Sequence, residues 1–232
     1  MSLTEEQVSE IARLGSPVLC VDTCILLDII RDLTGDAMNA SNANAAVSLL
    51  NAASAQRLVV LIAEQVSLEL IKNRSSVETQ ASRSLDQFIK NAKRMHEVGQ
   101  IFGAQGLLQA SHLHGHVDRT QSILDGWINA AVLVPENPGV AARGSSRCRA
   151  ARTPAKPGKN SLEDCVVIEA YLEAAGMLRK GGHTRPIIFA SSNTRDFYDS
   201  TRRVPADLAQ DLSAVGLEYQ PNLGGAKHAL GL

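Results

Sequence analysis

The chain has 232 residues, of which 44% are hydrophobic but only 3% aromatic, so one sizeable domain must build its core from Ala, Leu, Val and Ile. A formal net charge of −1 excludes a polycation, and any affinity for nucleic acid must come from a local patch. There is no apolar run of bilayer length and no basic-then-apolar leader, and Cys20, Cys24, Cys148 and Cys165 form no CxxC pair. These features predict reduced structural thiols in a cytoplasmic protein without membrane contact, and neither a disulfide framework nor a zinc site.

Leu3, Val8, Ile11 and Leu14 predict a short amphipathic helix at the start of the chain. Val18–Val21 is an apolar run of strand length, followed at once by Asp22 and Thr23, which can cap a helix over Cys24–Arg31. A helix over Asn44–Ala55 and a buried strand over Leu58–Ile62 come next. Helices are then expected over Gln65–Arg74, over Ser82–Gly99 with Leu85, Phe88, Ile89, Ala92 and Met95 on its apolar face, and over Val117–Val132. From Pro138 to Asn160 the character changes. Small residues and prolines accompany Arg143, Arg147, Arg149, Arg152, Lys156 and Lys159 without a single acid, which predicts a mobile, basic surface insertion. Regular structure resumes with a helix over Ser161–Leu178, a strand over Pro186–Ala190, a helix over Ala206–Val215 and a short strand over Leu217–Tyr219. There is no internal repeat. Strands alternating with helices predict an α/β domain with a parallel sheet covered on both faces.

The acids are placed where such a sheet puts its ligands, beyond the carboxyl ends of the strands. Val-Asp22-Thr23 follows the first strand, and Ser191-Ser-Asn193-Thr-Arg-Asp196-Phe197 follows a later one. Two strand tips presenting carboxylates to one crevice are costly unless a cation sits there, so a metal-dependent site is the leading expectation. Glu69 lies just after the second strand, and Asp164 opens a helix in Ser161-Leu-Glu-Asp164. Each acid also has a structural explanation. Asp22 can cap the next helix, Asp164 can belong to a capping box, Glu69 can pair with Lys72, and Asp196 can close an Asx-type turn. Only a shared site explains all four together. Asp28 reads as a surface or supporting residue, and His112, His114 and His116 as surface or helix-end residues rather than metal ligands.

In their order and neighbours these segments resemble the PIN domain family, metal-dependent nucleases with a small Rossmann-like sheet, over roughly Val18 to Tyr219. The resemblance implies a three-layer α/β/α fold over the whole of 1–232, with the basic stretch at about 138–160 as an insertion typical of a larger subfamily. It implies that Asp22, Glu69, Asp164 and Asp196 surround Mg²⁺ or Mn²⁺, that Asn193 assists, and that Thr23 and Ser191 orient the carboxylates. Many members place an acid directly after the Asn of the last motif; here that place is Thr194, so the fourth carboxylate is either Asp196 or absent. The implied reaction is ribonuclease hydrolysis of phosphodiester bonds. A hard cation held by carboxylates supplies what that reaction needs, an activated water and neutralised phosphoryl oxygens. Candidate RNA contacts are Lys159, Arg195 and Arg74 near the acid motifs, with Arg143, Arg147, Arg149 and Arg152 in the insertion. Expected partners are RNA and either an inhibitor protein or a second copy of the chain. Two alternatives stay open. One is a catalytically degenerate PIN-like module that binds RNA or protein. The other is a haloacid dehalogenase-type phosphatase, which would want an acid where Cys24 stands.

Overall fold

The computed structural model describes residues 2–35, 38–156, 158 and 161–232. Its centre is a five-stranded sheet of β1 (Val18–Val21), β2 (Val59–Ala63), β3 (Ala131–Val134), β4 (Ile187–Ala190) and β5 (Leu217–Gln220), in the order β3-β2-β1-β4-β5 and parallel throughout. Parallel neighbours need crossover connections, and helices provide them. After α1 (Glu5–Leu14), the helices α2 (Thr23–Ile30) and α3 (Ala40–Ser54) join β1 to β2. A long α4 (Glu64–Ile101), a 3₁₀ turn at Ser111–Leu113 and α5 (His116–Ala130) join β2 to β3. The pair α6 (Pro138–Arg149) and α7 (Leu162–Lys180) leads to β4, α8 (Thr194–Phe197) and α9 (Ala206–Ala214) lead to β5, and α10 (Leu223–Leu230) follows it.

Every residue of β1, β2 and β4 is buried, so both faces of the sheet are covered and the architecture is three-layered α/β/α. That is why these strands read as unbroken apolar runs rather than as alternations. Each fully buried Val, Leu or Ile contributes roughly 1.5–3 kcal/mol. The strand order reverses between β1 and β4, which is the position where an open parallel sheet leaves a crevice at its carboxyl edge. Tyr171 of α7 anchors this edge. Its hydroxyl donates to the Val21 carbonyl at 2.6 Å and accepts from the Ala63 amide at 2.9 Å, tying the ends of β1 and β2 to one helix.

Three elements differ from the sequence expectation. The basic insertion contains a twelve-residue helix, α6, capped by the Asn137 side chain, which accepts from Gly139 N at 2.9 Å and Val140 N at 3.1 Å. Gly144 has a packing reason: a Cβ there would lie 2.8 Å from Val166 Cγ2 and 3.0 Å from Val166 Cα, so α6 approaches α7 closely only because that side chain is missing. The helix expected over Val117–Val132 ends at Ala130, and β3 begins at the next residue. The two helices expected over Gln65–Arg74 and Ser82–Gly99 are one helix of 38 residues.

Candidate functional site

A cleft of about 550 Å³ opens beyond the carboxyl ends of β1 and β4. Asp22 leaves β1 at its floor, 6% exposed, as the N-cap of α2. Its Oδ1 accepts the Thr23 amide at 2.7 Å, and its Oδ2 accepts the Ser191 hydroxyl at 2.5 Å and the Cys24 thiol at 3.2 Å. Burial pushes the Asp22 carboxyl above its ordinary range. The three hydrogen bonds oppose that shift, and the charge of Asp196 adds to it. The cap of α2 and the buried acid of the cleft floor are therefore one residue.

The other acids arrive from helices that start at the same edge. Glu69, in the second turn of α4, accepts the Thr23 hydroxyl at 2.7 Å on Oε2 and the Gln65 amide at 3.2 Å on Oε1. Asp164 stands in the first turn of α7 and also lines the cleft. The expected fourth motif follows β4. Ser191 is fully buried, its carbonyl accepting the Tyr219 hydroxyl at 2.7 Å and its hydroxyl oxygen accepting the Asn193 amide at 3.2 Å. Asn193 lines the cleft, but Asp196 lies behind it, 4% exposed. There it accepts Asn193 Nδ2 at 2.7 Å and stands 3.6 Å from Lys156 Nζ. The structure thus brings Asp22, Glu69, Asp164 and Asn193 to one cleft and recesses Asp196.

Two cleft residues carry more than the sequence suggested. Asp28 is buried at the cleft wall, accepting the Ser192 hydroxyl at 2.6 Å and pairing with Arg31 Nε at 2.8 Å. Burial raises its carboxyl, while Ser192 and Arg31 moderate the rise. The signal was present: an acid four residues after Cys24, on one face of an otherwise apolar helix, is rarely there for solvation. Arg31 itself lines the cleft and was not singled out.

The basic candidates are placed differently from expectation. Arg143 pairs with Glu169 at 3.1 Å and with Glu173, and Arg152 pairs with Asp211 at 2.8 Å. Arg147 is 3% exposed, bound to Glu169 at 2.7 Å, to Asp211 at 2.5 Å and to the Thr153 carbonyl at 2.8 Å. These three brace α6 and the stretch after it against α7 and α9, which corrects the reading of the segment as a mobile insertion without regular structure. Arg149 is exposed and reaches Ser145, and Arg195 is exposed beside Asp196. Arg74 pairs with Glu78 at 2.6 Å and Asp125 at 2.5 Å. Lys159 lies outside the described residues. His112 falls in the 3₁₀ turn and His116 opens α5, the helix-end placement expected of them. All four cysteines are free thiols.

The donors at the cleft are oxygens, the carboxylates of Asp22, Glu69 and Asp164 with the amide of Asn193, and this chemistry suits a hard divalent cation. Among the described residues no three acidic, histidine or cysteine side chains are spaced to hold an ion on their own. Mg²⁺ seldom asks for such a cage: it keeps several waters and takes one or two carboxylates together with substrate phosphates. An oxygen-lined cleft open on one side fits that habit. The acids Asp22, Asp28, Glu69 and Asp164 face one lining cation, Arg31, among the described residues.

A family profile described as PIN domain matches residues 19–197, which run from β1 through α8 and include Asp22, Asp28, Glu69, Asp164 and Asp196. No curated protein and no solved structure matches the chain.

Proposed function

The chain belongs to the PIN domain family, whose members are generally nucleases that use divalent metals, and on that premise we propose that it is a divalent-metal-dependent endoribonuclease. The observation that carries this reading is the convergence of Asp22, Glu69 and Asp164 on one cleft, with Asp22 buried and bonded to no cationic side chain among the described residues. Those three carboxylates would hold Mg²⁺ or Mn²⁺, with Asn193 as a neutral oxygen donor. A cation bound there supplies charge neutralisation at the phosphoryl oxygens and a lower pKa for the attacking water. The chain's own residues prepare the place. Ser191 and the Thr23 amide fix both oxygens of Asp22, and the Thr23 hydroxyl fixes one oxygen of Glu69. Arg31, held by Asp28 at the cleft wall, offers a guanidinium to a phosphate of the bound strand.

The recessed position of Asp196 favours a second reading, a PIN module that binds RNA without cutting it. The assay that separates the two is incubation of single-stranded RNA with the protein in Mn²⁺ or in EDTA. Internal cleavage in Mn²⁺, absent in EDTA and reduced at least a hundredfold in a folded Asp164→Asn variant, is the expected result. Intact RNA in Mn²⁺ with the unaltered protein, together with no rise of Tm on adding Mn²⁺, supports the module instead.

A further inference from the structure

The cleft extends past the carboxylates toward α3, α4 and the start of α10, where its wall changes chemistry. Met38, Pro221 and Leu223 give apolar surface there, and Asn42, Asn73 and Asn222 give amides. Asn73 lies one helical turn after Glu69, so this wall is continuous with the acids. We propose that it is a nucleobase subsite that selects bases with a carbonyl edge, uracil and guanine, over the amino bases cytosine and adenine; it rests on the reading of the cleft as an RNA site.

The selectivity follows from which end of each amide is already in use. Gly224 N donates to Asn42 Oδ1 at 3.2 Å, and Gly225 N donates to Asn222 Oδ1 at 2.8 Å. A backbone N–H can only donate, so these contacts fix the oxygens and leave the NH₂ ends, which bond no described residue, as what Asn42 and Asn222 can offer. The close approach is built in. At Gly224 a Cβ would stand 3.3 Å from Asn42 Oδ1 and 3.4 Å from Asn222 Oδ1. A wall of amide donors meets an acceptor edge well. Guanine O6 and N7 and the pyrimidine O4 are acceptors, whereas cytosine N4 and adenine N6 are donors. Single-stranded RNA exposes those edges, with the base faces free to lie on apolar side chains. The cleft volume, about 550 Å³, is within the range of small-ligand pockets and admits a nucleotide.

The test compares binding of fluorescein-labelled rU6 and rC6, which share a backbone and O2 but differ along the base edge, O4 with N3–H in uracil against N4–H₂ with an acceptor N3 in cytosine, to the full chain in Ca²⁺ by anisotropy. The unaltered protein should bind rU6 about tenfold more tightly. Asn42→Asp keeps the acceptor for Gly224 but replaces the donor by an oxygen, so the rU6/rC6 ratio should fall to one or below. The added charge weakens both hexamers alike and cancels in the ratio. Asn222→Ser, which keeps a capping oxygen and removes the amide, should lower the ratio independently and serves if the first variant does not fold. Equal binding of the two hexamers, binding of neither, or a ratio unmoved in the folded variants overturns the proposal. Adding Mn²⁺ separates it from the nuclease reading. A uridine preference without cleavage leaves the subsite standing and the nuclease reading refuted, and cleavage without preference does the reverse.

Discussion

Asp22 concentrates the energetic problem that the site must solve. A carboxylate at 6% exposure, with its pKa raised by burial, makes the cation-free protein less stable as pH rises above the unfolded value near 3.9, because folding then holds a charge away from water. Removing that charge is therefore expected to help the fold and harm the function. Asp22→Asn should abolish Mn²⁺-dependent cleavage while its Tm in EDTA at pH 7 equals or exceeds that of the unaltered protein, by roughly 2–4 °C for each kcal/mol relieved. Differential scanning calorimetry beside the cleavage assay checks both halves. A variant that unfolds would show that capping α2 is the main task of Asp22. At this scale the sequence was legible where a motif placed a residue at a strand tip, as for Asp22 and Asn193. For Asp28 the apolar helix around it marked a buried acid but not its partner Ser192, which is 164 positions away, and the recession of Asp196 depends on the turn through α8 and on Lys156.

Among the elements, α6 shows how composition misleads. Gly139, Gly144, Ser145 and Ser146 are weak helix formers, and the segment has almost no large apolar residue, so it reads as a loop. Its stability comes from Asn137 at its start and from arginines whose acids sit on α7 and α9, contacts that no local window contains. Arg147→Ala should cost about 3–5 kcal/mol in urea denaturation, since it leaves Glu169 and Asp211 without their buried cation. Glu173 carries a pH signature. Burial alone would raise its carboxyl, but hydrogen bonds from Ser2, Arg143 and Asn137 outweigh this and hold it at about 2. A lowered carboxyl stabilises the fold above its unfolded pKa and loses that contribution as pH falls from about 4.5 toward 2. Glu173→Gln should lack about 2–3 kcal/mol at pH 7 and show a flatter loss of stability across that window. Equal slopes for the two proteins would remove Glu173 from the acid response. The boundary between α5 and β3 was hidden for another reason: Ile128-Asn-Ala-Ala-Val-Leu-Val134 has no glycine or proline to mark where helix gives way to strand.

For the whole molecule, a charge of −1 conceals a division of labour. Most of the arginines expected to meet RNA are bound to acids within the fold, whereas the acids of the cleft outnumber Arg31, its lining cation among the described residues. The parallel sheet was legible because its buried strands are continuous apolar runs, and the strand reversal between β1 and β4 then determines where the acids gather. A cleft of that charge repels a polyanion unless a multivalent cation intervenes, so metal occupancy is the claim on which the functional account turns. The most direct measurement is a crystal structure grown with Mn²⁺ and an anomalous difference map at the manganese edge. The account predicts a peak in the cleft within direct coordination distance of Asp22, with Glu69 or Asp164 turned toward it. A map without density there, with Asp22 still satisfied by Thr23, Ser191 and Cys24 alone, would contradict it.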